Sequence, residues 1–544
     1  MTEITVKDLL EMASENREKR FNLTGISDIL LIMATAVAFA MGLYVSLCSL
    51  VISVYQPKEP GYRYARYEFF IPTLLVTVAF FFGIRFVARK FKTLEEALKR
   101  KISRIVFHAS FVFLAAVLIA FIVTVPYYPE GDQLIVATAA ALFRKGDYTM
   151  LTDGGYLSLF PYQKGITALY GMFFTIFGNY NFFPIKCFNA LCVLAAFAAG
   201  RGLVKEISDE IFAETVYCIL FVFCAPLIVM TPYAYGDVPS IAFALLIFLC
   251  LVKAERTGRV IYAVLSVPAA VMALLTRNTS LIVFIAVIIG AVLLLLRNRK
   301  KLGFAAVVTA ACILVIPLAT TKTIDVIYEK ECGHENFDAV PKNLFIAMGM
   351  HDTYGVPGVF NRYHQEVFEQ SGYNADIAAQ TGNEYIKARL TELATNPGEG
   401  FKFVNKKIIF QWDEPMFESF RITAPTKEDA PKNKFYNSVY HGRIHDVVWL
   451  LSDFYQSVVY ISFTLYIALW LVEAIRARKR KEALKVTVAT MIPVITFVGG
   501  FLFSILWESQ CKYVLPYYVF MLIYAAAGLA KPGKRHSGEE DKFS

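Results

Sequence analysis

Apolar runs of about 17 residues or more recur along almost the whole length of this chain. Each is long enough to cross the roughly 30 Å hydrocarbon core of a bilayer as a helix. Composition agrees: of 544 residues, 56% are hydrophobic and 18% charged, where soluble chains keep nearer a quarter charged. Mean hydropathy is +0.49. The fold class that follows is an all-α polytopic membrane protein.

The formal net charge is +9, but the basic residues do not interleave with aromatics on one soluble face, so a nucleic-acid partner is not expected. They lie in short clusters between apolar runs, as the positive-inside rule produces. The first hydrophobic run, about 26–54, lacks a short core with a small-residue cleavage site and reads as an anchor, not a cleavable signal. Seven of nine cysteines (48, 187, 192, 218, 224, 250, 312) fall in apolar runs, where Cys acts as a small hydrophobe. Cys332 and Cys511 are expected near a surface, and no disulfide framework is readable.

Basic clusters REKR (17–20), 89–104, RGLVK (201–205), KAERTGR (253–259), RNRKK (297–301), 476–485 and KPGKR (531–535) are placed on the cytoplasmic side. That gives crossings near 27–54, 67–88, 105–126, 182–200, 211–231, 239–254, 260–276, 279–296, 302–321, 447–472, 486–505 and 513–530. The total is about twelve, with both termini cytoplasmic. The parity holds only if FPYQKGITALYGMFFTIFG (160–178) does not cross, so it is read as a re-entrant or interfacial helix.

The chain divides into 1–104, an N-terminal segment with two extra crossings; 105–321, a transmembrane core with outer loop 127–181; an extracytoplasmic cap, 322–446; the last crossings, 447–530; and a tail, 531–544. In the outer loop, LIVATAAALFRK (134–145) has helical spacing, as does NEYIKARLTELA (383–394) in the cap. FKFVNKKIIFQW (401–412) mixes Lys with Phe, Ile and Trp and reads as a helix on the bilayer surface, with Trp412 an interfacial anchor.

This topology gathers charged residues on one membrane face. Glu130 and Asp132 follow the third crossing in PEGDQ; Lys164 follows Tyr162 in YQKG; Asp237 lies in YGDVPS and Arg277 in LTRNTS; Glu508, Lys512 and Tyr513 lie in ESQCKYVLP. Charge at membrane depth is costly and usually functional. Acids and cations in one outer cavity suit a reaction in which a base deprotonates an acceptor while cations hold a departing phosphate. The outer compartment lacks nucleotide sugars, so the activated substrate would be one dissolved in lipid, such as a polyprenyl-phosphate sugar.

These motifs, in this order, resemble the GT-C superfamily of membrane glycosyltransferases, which contains protein O-mannosyltransferases and lipid A aminoarabinose transferases. The likeness covers about 105–300 and the last helical hairpin. It implies a GT-C-like bundle with interfacial helices in the first outer loop, and a sugar donor on a polyprenyl-phosphate carrier. The acceptor would be an extracytoplasmic glycolipid, wall polymer or protein. By that resemblance Asp132 is the general base and Asp237 shares its cavity, orienting sugar, acceptor or a divalent cation. Lys164, Arg277 and Lys512 face the donor phosphate. The family's Arg-Tyr pair stands here as Lys512-Tyr513.

Plainer readings exist for each residue. Asp132 and Asp237 are also placed as helix N-caps, a reading that does not explain their convergence with the cations, and Glu130 reads as loop solvation. Lys164 and Arg277 would serve as snorkelling anchors. Glu508 and Lys512, four apart, would serve as an ion pair. His441 and His445 lack the glutamate of a metalloprotease motif and read as a polar turn. At the level of function, a secondary transporter is the alternative, although no repeated half is visible. A non-catalytic lipid-handling scaffold is the third reading.

Overall fold

The computed structural model describes residues 6–55, 64–66, 70–152, 154–297, 300–333, 338–353, 355–424, 433–482, 484 and 486–530. The described chain is almost wholly helical, with two short antiparallel hairpins, Ser53–Tyr55 with Tyr64–Arg66 and Asp352–Thr353 with Val356–Pro357. Among the described residues nine helices are long and apolar enough to cross a membrane. They are Thr24–Val51, Phe70–Lys92, Glu96–Thr124, Phe183–Ile207, Asp237–Thr257, Asn278–Leu296, Gly303–Cys332, Arg443–Lys479 and Val488–Leu506. The chain is a multi-pass, all-α membrane protein. Large apolar side chains such as Phe82, Val112, Leu191 and Phe304 stand exposed along these helices. Their cost in water disappears where lipid covers them.

Three predicted crossings fall on shorter apolar helices: Ile211–Val222, Val260–Thr276 and Leu515–Ala530. The first is broken at Phe223–Cys224 and resumes as Ala225–Val229, with Pro226 early in the new helix, where its missing N–H costs nothing. Leu515–Ala530 forms the centre of the bundle. Nearly every side chain along it is buried, against Arg443–Lys479, Ile211–Val222 and Phe183–Ile207. The segment expected not to cross forms the helix Lys164–Phe177. At 14 residues it spans about 21 Å, short of a bilayer core.

Above the bundle, the outer loop and the cap share a core. Phe160 of the loop packs with Val340, Leu344, Phe345, Met348, Val367 and Phe368. The cap helix Ala375–Thr395 is opened by Asn374, whose side chain accepts from the backbone N–H groups of Asp376 and Ile377.

Three expectations are corrected. The crossing expected to end at residue 321 continues as helix to Cys332, because Lys322 and Asp325 extend it without breaking it. Trp412 is not an interfacial anchor, and the C-terminal half of the helix Pro397–Trp412 is packed inside the protein: Lys407, Gln411 and Trp412 are fully buried. Its buried donors are met internally, with Trp412 Nε1 donating to Ser504 Oγ at 3.1 Å and Gln411 Nε2 to the Ser504 carbonyl at 2.8 Å, while Gln411 Oε1 has no hydrogen-bond partner. Cys511, expected near a surface, is buried, its Sγ 3.0 Å from the Phe410 carbonyl. All nine cysteines are free.

Candidate functional site

Two acids open helices at the same end of the bundle. Asp132 is the first residue of Asp132–Phe143 and Asp237 the first of Asp237–Thr257. Neither is an N-cap: Gly131 and Gly236 hold those positions, and no side chain caps either helix. Both carboxylates still gain from the positive helix end. Asp132 is exposed, whereas Asp237 is 4% exposed and paired with Arg277 at 3.2 Å.

The turn carrying Asp237 is fixed by its neighbours. Asn189 donates to the carbonyls of Thr231 (3.0 Å) and Tyr233 (2.8 Å). Gly236 lies so close to the Thr276 carbonyl that a Cβ would sit 1.7 Å from it. Arg277 is the next residue, so this contact brings the Asp237 and Arg277 turns together. Gly165 performs the same service for Lys164, since its Cβ would stand 2.8 Å from the Leu275 carbonyl.

Tyr233 and Tyr235 join the parts. Gln133, beside Asp132, donates to Tyr233 Oη at 2.6 Å, and Gln163, beside Lys164, donates to Tyr235 Oη. Lys512 Nζ donates to Tyr233 Oη at 3.2 Å and lies over the Tyr233 and Tyr235 rings at 5.6 and 5.8 Å. The Arg277 guanidinium lies 5.0 Å from the Tyr235 ring and 5.1 Å from that of Tyr513. Burial, reinforced by Asp237 for Tyr233 and by Asp132 for Tyr235, raises both phenols well above their ordinary value, so they remain neutral.

Glu508 and Lys512 do not pair with each other. Glu508 accepts from Gln510 and, at 3.1 Å, from Tyr513 Oη. Burial raises the Glu508 carboxyl, with Lys512 and these hydrogen bonds opposing. Burial lowers the Lys512 amine, with Asp237 opposing. Tyr162 is exposed beside Phe160 and Phe345, within electrostatic reach of Tyr235, Asp132, Glu508 and Arg277. Glu130 is exposed in the turn before Asp132.

All the predicted site residues thus lie at one end of the molecule, and several partners were missed. Lys164 is not a snorkelling anchor: it is 8% exposed and its Nζ is 3.3 Å from Asp325, on the extension of the crossing cut short at residue 321. Glu418, 2% exposed, binds Arg421 and accepts from the Cys511 N–H at 2.8 Å, supporting the Lys512 turn from the cap. Arg277 meets one oxygen of the Asp237 carboxylate, and the other, Oδ2, is buried without a hydrogen-bond partner. His441 lies 3.1 Å from Tyr436 Oη and His445 beside Asp446. Among the described residues no group of three or more His, Cys, Asp or Glu side chains is placed to hold a metal ion.

In comparisons with known proteins, no protein-family model matches the chain, and no curated protein matches it either.

Proposed function

We propose that this protein is a GT-C-like glycosyltransferase that moves a sugar from a polyprenyl-phosphate carrier to an acceptor on the outer face of a cell membrane. The supporting observation is the convergence of an exposed carboxylate, Asp132, with the partly buried Arg277 and the buried Lys512 around one pair of tyrosines. Lys512 meets a neutral oxygen, not a carboxylate, which leaves its charge available to an anion. In this reading the bundle crosses about twelve times with both termini cytoplasmic.

The reaction is a single inverting displacement. The acceptor oxygen attacks the anomeric carbon while Asp132 takes its proton, and the bond from that carbon to the phosphate oxygen breaks with its electron pair passing to phosphate. Arg277 and Lys512 stabilise the charge that develops there, in a site of low dielectric. Lys164 joins them when it releases Asp325. Asp237 holds Arg277 in place, and Glu508, with its raised proton affinity, contacts sugar or acceptor hydroxyls.

The test is sugar transfer by the purified protein from polyprenyl-phosphate sugars recovered with its native lipids. Asp132→Asn is expected to lower turnover by about 10²–10⁴-fold, the usual contribution of a general base, with stability lowered by no more than about 1 kcal/mol from the lost charge at the helix start. A variant that folds and transfers at the wild-type rate would remove Asp132 from the mechanism.

A further inference from the structure

A second acidic locus lies apart from this site, where three distant segments meet. Asp413 ends the helix Pro397–Trp412, and its carbonyl accepts from Val54 N–H at 2.9 Å. Asp453 lies on Arg443–Lys479, one turn before Gln456, whose Nε2 donates to the Trp412 carbonyl at 2.9 Å. Ser457, on the same helix, donates to the Ser49 carbonyl at 2.8 Å. Asp413 is 1% exposed, Asp453 3% and Ser53 3%.

Both carboxylate oxygens of Asp413 are buried without a hydrogen-bond partner. Ser53 Oγ is also buried and makes no well-formed hydrogen bond, although it lies at the edge of reach of Asp453. Among the described residues neither acid has a Lys, Arg or His partner, while Tyr44, Cys48 and Tyr460 are the further titratable groups within reach of Asp413. Leaving such oxygens unsatisfied costs about 1–3 kcal/mol each, and more for an ionised group. A proton on Asp413 would remove its charge but create a buried O–H that needs an acceptor. A cation answers both needs, and the negative end of Pro397–Trp412 favours it at this position.

We propose that Asp413, Asp453 and Ser53 form a binding site for a hard divalent cation, Mg²⁺ or Ca²⁺. The donors are all oxygen, two of them carboxylates that balance two charges. A dedicated transition-metal cage would call for more His, Cys, Asp or Glu ligands, whereas Mg²⁺ is held by one or two carboxylates and keeps several waters. The ion would clamp the outer end of the first long helix and the strand after it to the cap helix and to Arg443–Lys479. It would thereby brace the following segment, whose Glu418 supports the Lys512 turn.

The experiment uses the full chain in nanodiscs, stripped with EDTA and titrated with MgCl₂ or CaCl₂ against NaCl at matched ionic strength. The wild type is expected to show a saturable rise in unfolding midpoint that vanishes in Asp413→Asn and Asp453→Asn. Ser53→Ala loses no hydrogen bond and should fold, with half-saturation shifted several-fold to higher cation concentration. Bound Mn²⁺, read by electron paramagnetic resonance on the wild type alone, should approach one ion per chain and be displaced by Mg²⁺. An absent divalent response and absent Mn²⁺ in the wild type, or an equal response in all variants, would overturn the assignment. None of these readings depends on sugar transfer.

Discussion

Lys407 shows how far the cap's interior departs from its sequence. The side chain is fully buried, with its Nζ donating to the Gly349 carbonyl and Glu508 as the nearby opposite charge. Burial pushes its amine down from 10.5 to about 7. The folded protein therefore releases this proton near pH 7, whereas the unfolded chain keeps it to about 10.5. Across that window the unfolded state binds more protons, so this group's contribution to stability rises with pH and is lowest below 7. Lys407→Met should remove the effect. The stability of wild type minus variant is expected to climb between pH 7 and 10 by an amount on the order of a few kcal/mol. A constant difference across that range, measured by thermal or denaturant unfolding, would show that the amine does not titrate there. Lysine among aromatics reads as surface, and only the fold supplies the Gly349 carbonyl that makes burial tolerable.

The turns do more than the helices to assemble the site. Because Gly236 abuts backbone at Thr276 and not a flexible side chain, neither turn can yield cheaply to a methyl group. Gly236→Ala is expected to destabilise by about 1–3 kcal/mol, with a matching loss of any activity that needs the Asp237–Arg277 pair. Gly171 lies inside a helix with nothing within 4 Å of a Cβ, so Gly171→Ala should be neutral or stabilising by about 0.5–1 kcal/mol. Equal behaviour in thermal unfolding would remove the close approach as the cause. The spanning helices were legible in sequence because a bilayer demands about 20 apolar residues in a row, and the charged turns were legible because they interrupt those runs. Their partners were not. Gln133 and Tyr233 are 100 residues apart, and Lys164 and Asp325 further still, in segments where no periodicity links them. Asp325 falls inside the expected cap, 322–446, yet the helix runs on to Cys332.

At the scale of the molecule, the two ends of the bundle differ in kind. One holds Asp132, Asp237, Arg277, Glu508 and Lys512 around tyrosines. The other is tied by ion pairs, Arg256 with Glu206 at the surface and Arg297 with Asp28 largely buried, and by the Val488 N–H donating to Glu255 at 2.7 Å. Basic clusters flank this second end, which the positive-inside rule assigns to the cytoplasm. Every helix joining the two ends then carries a testable orientation. In a cysteine-free background, Lys145→Cys and Glu369→Cys should react with a membrane-impermeant maleimide added to intact cells, because both positions are exposed, Lys145 just after the helix Asp132–Phe143 and Glu369 in the cap. Arg259→Cys and Glu482→Cys, exposed at the far end, should react only after permeabilisation. If Lys145→Cys and Glu482→Cys react from the same side, an odd number of the intervening helices has been misassigned. The candidate site would then face a compartment where a lipid-linked sugar is not the only activated donor, and the chemistry of Asp132 would have to be argued again from a different substrate.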